Sequence, residues 1–154
     1  MKRKLLWAAA LAYLALMLWM MLDRQRCDPA LSYWSQLRDH LNLIPFRTNR
    51  QYVLLLDGHA GLAQWKHAVI CLFGNILTFL PLGAFLPALF PRCHKLSRTL
   101  LWGGTGVICV ELIQLFTLTG SCDIDDLLLN LLGMTVGYAL WALHDTANND
   151  SSGA

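Results

Sequence analysis

The chain has 154 residues, of which 56% are hydrophobic and 14% carry a charge, and its formal net charge is +2. The charged fraction is well below that of a typical soluble domain, and the apolar fraction exceeds what one small core needs. The composition therefore excludes an ordinary soluble domain. No clustered basic face with interleaved aromatic residues is present, so we expect no nucleic-acid partner. We predict a single all-α domain, a polytopic helix bundle in a lipid bilayer.

The first predicted element is a membrane span over residues 5–22, preceded by the basic residues Lys2, Arg3 and Lys4. This apolar run is longer than the hydrophobic part of a typical signal peptide. No small-residue cleavage site follows it. We therefore interpret the run as an uncleaved transmembrane helix whose N-terminus lies in the cytoplasm.

A loop of mixed charge, residues 23–66, follows the first span. Apolar residues recur at helical spacing from Tyr33 to Leu43, and Pro45 stops the pattern. The spacing predicts a short helix in this loop, lying either in the membrane interface or simply on the protein surface.

The second predicted span covers residues 68–90 and contains Pro81 and Pro87. Each proline removes one backbone N–H, so a carbonyl of the preceding turn needs another donor. Asn75 and Thr78 share one helical face and can offer hydrogen bonds to a polar site. The alternative is that the prolines only kink a packed helix, which Asn75 ties to a neighbour.

A short basic segment separates the second span from the third. Residues 91–98 contain Arg92, Lys95 and Arg98 and no acidic residue. The positive-inside rule places such a segment in the cytoplasm, in agreement with the basic N-terminus. We therefore predict four spans with both termini in the cytoplasm. Residues 144–154 are predicted to be a short, polar, disordered cytoplasmic tail.

The third predicted span, residues 99–118, carries a carboxylic residue inside an apolar run. Glu111 lies there, and Gln114 follows three residues later on the same helical face. A charged carboxylic residue near the bilayer centre costs about 3 kcal/mol on insertion scales. The helix can insert despite this cost, but insertion gives no reason for Glu111 to be present.

An acidic turn precedes the fourth predicted span, residues 127–143. Asp123, Asp125 and Asp126 lie in this turn, and carboxylates at this point can satisfy the free N–H groups of a helix start. One helical stripe then runs along the span, and we predict that it faces another helix. The stripe consists of Asp126, Asn130, Gly133 and Gly137.

These spans bring polar residues towards one outward-facing pocket near the acidic turn. The predicted binding residues are Asn75, Glu111, Gln114, Asp123, Asp125, Asp126 and Asn130. Carboxylates at a membrane surface can bind a hard cation, act as acid and base, or relay protons. For catalysis the candidates are Glu111 with Asp125 or Asp126.

A purely structural interpretation of the same residues also stands. In it Asp123 or Asp126 caps the fourth helix, and a neutral Glu111 forms a hydrogen bond with Gln114 or Asn130. The five cysteines show no CxxC pair and no metal spacing with histidine, so we expect neither a metal nor a cofactor. A disulfide between Cys27 and Cys122, both predicted to lie outside, is left open.

The order and spacing of four blocks carry a resemblance to a known family. The blocks are NLIPF at 42–46, GNILTFLPLGAFLP at 74–87, the ExxQ pair Glu111 and Gln114, and DIDDLLLNLLG at 123–133. Together they resemble the VanZ-like family over about residues 40 to 140. The resemblance implies a bacterial inner-membrane protein linked to tolerance of glycopeptide antibiotics, notably teicoplanin-like ones with lipid tails.

The resemblance and the pocket lead to three functional hypotheses. The first is a non-enzymatic envelope protein that engages a lipid-linked cell-wall precursor or a lipoglycopeptide in its outward pocket. The second is an intramembrane enzyme that uses Glu111 and Asp125 or Asp126, with or without a divalent cation, on a lipid-linked substrate. A small transporter or proton relay has less support, because no second half of the chain repeats the first.

Overall fold

The computed structural model describes residues 2–22, 28, 30–56 and 61–152. Within them the fold is all-α apart from two very short strands, as predicted. In chain order the elements are α1 (Lys2–Leu22), α2 (Tyr33–Asp39), β1 (Leu41–Asn42), α3 (Arg47–Leu55), α4 (Leu62–Leu89), α5 (Leu96–Thr117), β2 (Cys122–Asp123) and α6 (Ile124–Ser152). A single 3-10 turn, Pro91–Cys93, connects α4 to α5.

Four of these helices are long and apolar enough to cross a membrane, which confirms the predicted polytopic bundle. Their membrane-compatible parts are Arg3–Met21, Leu62–Leu89, Leu96–Thr117 and Ile124–Asn148. All four helices begin before the predicted spans, and α6 also ends later, because hydropathy locates the apolar part of a helix and not its polar ends. In α4 the polar start is held by Gln64, whose Oε1 accepts the Gly61 N–H at 3.2 Å.

The polar tail that the composition predicts to be disordered is helical as far as Ser152. Side chains one turn apart continue to interact there. Thr146 Oγ1 donates to the Ala142 carbonyl at 2.8 Å, and Asn148 Nδ2 lies 2.9 Å from His144 Nε2. These local contacts support the helix beyond its apolar part.

The closest helix pair is α4 with α6, which have the most extensive contacts among the described elements. A Cβ atom on Gly133 would lie 2.3 Å from the Ile76 carbonyl oxygen, and one on Gly137 only 1.9 Å from that of Leu80. Real Cβ atoms do not approach a backbone this closely, so the two helices pack backbone against backbone. The structure thereby confirms that the predicted small-residue stripe faces another helix.

The other two spans pack against this pair through a common apolar cluster. Met17 of α1, Phe79 of α4, Val107 of α5 and Met134 of α6 are buried together. The helix α4 continues through both of its prolines. Near the first, the Tyr13 hydroxyl of α1 donates to the Thr78 carbonyl at 2.6 Å, which ties α1 to α4.

The two ends of the bundle differ in charge. At what we call the basic end, the 3-10 turn and the start of α5 carry Arg92, Lys95 and Arg98. The ring of Trp7, near the start of α1, packs edge-on against Phe90 with ring centroids 5.3 Å apart, so the basic N-terminus lies at this end too. Residues 120–126 form the opposite, acidic end.

The first loop folds over the acidic end. Its predicted helix is present as α2, although it ends at Asp39 and not at Leu43. The chain then forms β1, which pairs in parallel with β2 in the register Leu41 with Cys122 and Asn42 with Asp123. The helix α3, which the sequence pattern did not predict, follows directly.

Candidate functional site

Asp123 caps the helix α6, in agreement with the structural interpretation of that residue. Its Oδ1 accepts the backbone N–H of Asp125 at 2.8 Å. Its Oδ2 accepts hydrogen bonds from the first loop, from Thr48 Oγ1 at 2.7 Å and from Asn42 Nδ2 at 3.1 Å. One side chain therefore both starts α6 and holds the first loop against it.

Asp125 caps a different helix from the one that carries it. Its side chain is completely buried, and its two oxygens accept the backbone N–H groups of Phe46, Thr48 and Asn49, the last two at 2.8 and 2.9 Å. These N–H groups form the start of α3, where a carboxylate also matches the positive end of the helix dipole. Phe46 itself has a left-handed backbone with φ of 62° and provides no side-chain cap.

The position of Asp125 does not fit the predicted role of this residue in ligand binding or in acid–base catalysis. Its oxygens are occupied by three backbone donors, and the residue does not line the cavities described below. The geometry therefore gives no support to Asp125 as a ligand-binding residue or as an acid or base. Its neighbour Asp126 is placed differently, because its Oδ1 accepts a hydrogen bond from Asn75 Nδ2 of α4 at 2.8 Å.

Glu111 is buried in α5, with 5% of its surface exposed. Within the described residues, the one hydrogen bond to its carboxyl group comes from the Cys122 thiol, at 3.8 Å between Sγ and Oε2. Gln114 turns away and donates to the Met21 carbonyl of α1. The structural interpretation that paired Glu111 with Gln114 or Asn130 is therefore wrong within this part of the chain.

Asn130 lies in the interior of the bundle with 2% of its surface exposed. Its side-chain oxygen Oδ1 is buried, and no group of the described residues donates a hydrogen bond to it. Buried amide oxygens in native proteins normally have a donor. This acceptor therefore lacks a donor within the described part of the chain.

A polar cavity of about 80 Å³ joins these residues at the acidic end. Five of the predicted binding residues line it, together with parts of α1 and of the turn before β2; they are Asn75, Glu111, Gln114, Asp126 and Asn130. Asp123 lines an adjoining cavity of about 350 Å³, to which Asn75 and Asp126 also contribute. The structure thus brings six of the seven predicted residues to one connected polar region and leaves out Asp125.

The larger cavity has further polar walls that sequence reasoning missed. Tyr52, His67 and Cys71 line it. Cys71 Sγ lies 3.6 Å from His67 Nε2, and the rings of His67 and Tyr52 have centroids 5.8 Å apart. The spacing of His67, Cys71 and Asn75 by four residues was a usable signal, because it places all three on one face of α4.

Two groups near the cavities, both outside the spans, have perturbed acidity. Burial raises the pKa of the Tyr52 hydroxyl, and contact with Cys71 and the charges of Asp126 and Asp123 raise it further. Burial also raises the pKa of the Cys122 thiol, with additional contributions from Glu111 and Asp123. Both groups therefore stay protonated at neutral pH and act as hydrogen-bond donors. The predicted partner of Cys122, Cys27, lies outside the described residues.

The smaller cavity offers several hydrogen-bond acceptors. Two carboxyl groups from different helices, Glu111 on α5 and Asp126 on α6, share the smaller cavity with the unpartnered Asn130 oxygen. In the described part of the chain, no group of three or more His, Cys, Asp or Glu side chains has an arrangement that could hold a metal ion.

Comparison with known proteins gives one match. The model of the VanZ/LLP1 family matches residues 10–145, which include the second and third spans, the first loop and most of the first and fourth spans. No curated protein matches the chain. No solved structure matches it either. The family match covers well over half of the sequence and contains every residue of the polar region, so the chain belongs to the VanZ/LLP1 family.

Proposed function

We propose that this protein acts in the bacterial cytoplasmic membrane, where it binds the head group of an envelope lipid or lipid-linked amphiphile in the polar cavity at its acidic end. The observation that carries the proposal is the position of Glu111, a buried carboxylic side chain that faces a cavity inside the membrane bundle. Ionisable residues within membrane helices are costly and mark functional sites by default. Helix packing alone does not require one at this position.

The charge distribution supports an outward-facing cavity. Basic residues at the basic end favour a cytoplasmic location for that end under the positive-inside rule. The cavity lies at the opposite end and would then face the cell exterior, where lipid-linked cell-wall precursors and lipoglycopeptides are encountered. Family membership supports a role in lowering susceptibility to teicoplanin-like antibiotics.

Lipid analysis tests the binding proposal directly. The full-length protein, Glu111→Gln and Asp126→Asn would be purified from bacterial membranes, and the retained lipids would be identified by mass spectrometry. We expect the wild-type protein to retain an amphiphile that both variants lose. Asp39→Asn, which changes an exposed acid on α2, is the matched control and should retain it. Identical lipid profiles for wild type and cavity variants would refute binding in this cavity.

Antibiotic susceptibility tests the biological role separately. Expression of the wild-type protein in a susceptible host should raise the inhibitory concentration of a teicoplanin-like antibiotic, and expression of Glu111→Gln at the same protein level should not. Unchanged susceptibility with wild-type protein would reject the resistance role while leaving the lipid-binding proposal intact.

One observation also favours an enzymatic alternative, namely that the Glu111 and Asp126 carboxyl groups line the same cavity. Two carboxyl groups in such a site can serve as acid and base on a lipid-linked substrate. Purified protein incubated with lipid-linked cell-wall precursors, with and without Mg²⁺, would be assayed for product by mass spectrometry. Absence of product, or full activity in both Glu111→Gln and Asp126→Asn, would exclude this alternative.

A further inference from the structure

Two of the three amide side chains that line the smaller cavity, Gln114 and Asn75, use their donors within the protein. Gln114 Nε2 donates to the Met21 carbonyl, and Asn75 Nδ2 donates to Asp126 Oδ1 at 2.8 Å. Neither amide nitrogen is therefore directed to a ligand in this arrangement. These two donors therefore point away from a ligand in the cavity.

The acceptors of the cavity are placed differently. Asn130 Oδ1 is buried without a donor from the described residues, and the Glu111 carboxyl group is contacted in that part of the chain only by the weakly donating Cys122 thiol. The hydroxyl groups of Thr78 and Ser121, which also line the cavity, can donate or accept. The cavity thus matches a ligand group that brings several donors of its own.

The charge of the cavity further restricts the chemistry of the ligand group that fits it. Glu111 and Asp126 line it, and no Lys or Arg is present among its described lining residues. A primary ammonium group carries a positive charge and three N–H donors on one atom, which suits two carboxyl groups and the Asn130 oxygen. A quaternary ammonium group has no N–H donor and favours aromatic cages, whereas Phe79 is the one aromatic side chain among the described lining residues.

The size of the cavity sets how much of a ligand can enter. Its volume of about 80 Å³ is several times the minimum of about 10–15 Å³ that one water molecule needs. That space accepts an ammonium group with a short carbon chain. The adjoining cavity of about 350 Å³ has room for the next part of a larger head group.

We infer that the smaller cavity binds the primary ammonium group of a membrane amphiphile, with Glu111, Asp126 and Asn130 as its acceptors. The inference rests on the proposed function and specifies the chemistry of its ligand. An aminophospholipid and a lipid-linked peptide with a free amine both present this group. The lipids retained by the purified protein, identified by mass, distinguish these two sources.

Native mass spectrometry of the full-length protein provides the test. The protein would be exchanged into detergent that contains equal amounts of phosphatidylethanolamine, phosphatidylcholine and phosphatidylglycerol with identical acyl chains. We expect the wild-type protein to retain phosphatidylethanolamine in preference to the other two. Glu111→Gln should reduce this retention about tenfold, because glutamine keeps an acceptor oxygen but removes the negative charge that strengthens its hydrogen bond to the ammonium group. Asp126→Asn should act in the same direction, and Asp39→Asn should have no effect.

The outcomes separate this inference from the proposed function. Equal retention of the three lipids, or preference for phosphatidylglycerol, would overturn the ammonium assignment. If Glu111→Gln nevertheless removed the retained lipid, the proposal that the cavity binds a lipid would still stand. Loss of phosphatidylethanolamine on addition of a chelator would indicate that the acidic groups bind a divalent cation that bridges to the lipid. This outcome would also overturn the ammonium assignment. If no lipid is retained in a way that depends on Glu111, both proposals fail. Thermal unfolding of each variant would confirm that it is folded.

Discussion

The three aspartates between positions 123 and 126 are close in sequence but make contacts with different parts of the molecule. Asp123 starts its own helix, Asp125 caps the separate helix α3, and Asp126 lines the cavity beside Glu111. A carboxylate can accept hydrogen bonds from any nearby helix start, so its role depends on which backbone is brought to it. Substitutions at these positions should therefore have distinct effects.

Asp125→Asn should destabilise the packing of the first loop without touching the cavity. Asparagine has one side-chain oxygen in place of two and no charge, while three backbone N–H groups need an acceptor. Hydrogen bonds to charged groups contribute about 1.5–3 kcal/mol each, so we expect a loss of about 2 kcal/mol or more. Thermal unfolding in detergent would measure it. Asp39→Asn, at an exposed site, is the control and should change the free energy of unfolding by less than about 0.5 kcal/mol. Equal effects of Asp125→Asn and Asp39→Asn would contradict the capping of α3 by Asp125.

The reactivity of Cys122 should report on the charge of Glu111. Because Glu111 and Asp123 add to burial in raising the pKa of this thiol, its reactive thiolate forms only at raised pH. Removing the acid with Glu111→Gln should stabilise the thiolate and move the pH profile of maleimide labelling to lower pH. Variants with Cys122 as the single cysteine would be used for the measurement. Asp39→Asn should leave the profile unchanged, and the same midpoint in Glu111→Gln would contradict the described contact.

At the scale of secondary-structure elements, the pair α4 and α6 forms the support of the site. The two helices approach through glycines towards one end of their contact and place Asn75 opposite Asp126 towards the other. Because the backbones are so close, a small displacement of α6 would also move Asn130 and Asp126 in the cavity. Helix packing and site geometry are therefore coupled.

Gly137→Ala should destabilise the bundle, since its new Cβ would lie 1.9 Å from the Leu80 carbonyl oxygen. Overpacking of this kind typically costs about 1–3 kcal/mol. Gly106→Ala in α5 is the matched control, because a Cβ there meets nothing within 4 Å and alanine favours the helix. Unfolding midpoints in detergent should fall for the first variant and be equal or higher for the second. A midpoint of Gly137→Ala at or above that of the wild type would contradict the close approach.

At the scale of the whole molecule, charge is separated along the bundle. The basic end carries Arg92, Lys95 and Arg98, and the acidic end carries Asp123, Asp125 and Asp126. Short basic segments resist transfer across the membrane, so the basic end should remain in the cytoplasm. With this predicted orientation the cavity would face the outside.

Reporter fusions test this orientation. Green fluorescent protein fused after Ser97 should fluoresce, because it folds in the cytoplasm, and alkaline phosphatase fused after Ser121 should be active, because it requires the exterior. Exchanging the two reporters between the sites provides the control and should abolish both signals. The reverse pattern would place the acidic end in the cytoplasm and remove the basis for an envelope ligand.

Local patterns in the sequence were sufficient to predict the membrane bundle and much of its polar region. The four apolar runs predicted the four helices, and the spacing of Asp126, Asn130 and the two glycines predicted the face of α6 that meets α4. Hydropathy and helical spacing act over one or a few turns of chain. They are therefore readable before the fold is known, although they leave the polar ends of the helices undefined.

Only the tertiary structure assigned the individual acids. The hydrogen bond from Phe46 to Asp125 joins residues 79 positions apart, and it depends on the left-handed backbone of Phe46 and on the pairing of β1 with β2. No local pattern predicts the helix α3 or its capping by a residue of α6. Tyr52 likewise reaches the larger cavity because α3 docks there. The sequence determined which polar groups are present near the acidic turn. The docking of the first loop decided which of these groups accept hydrogen bonds from the backbone of the loop and which remain at the cavity. The reason is that buried hydrogen-bonding groups must be satisfied by whatever backbone the fold brings near them.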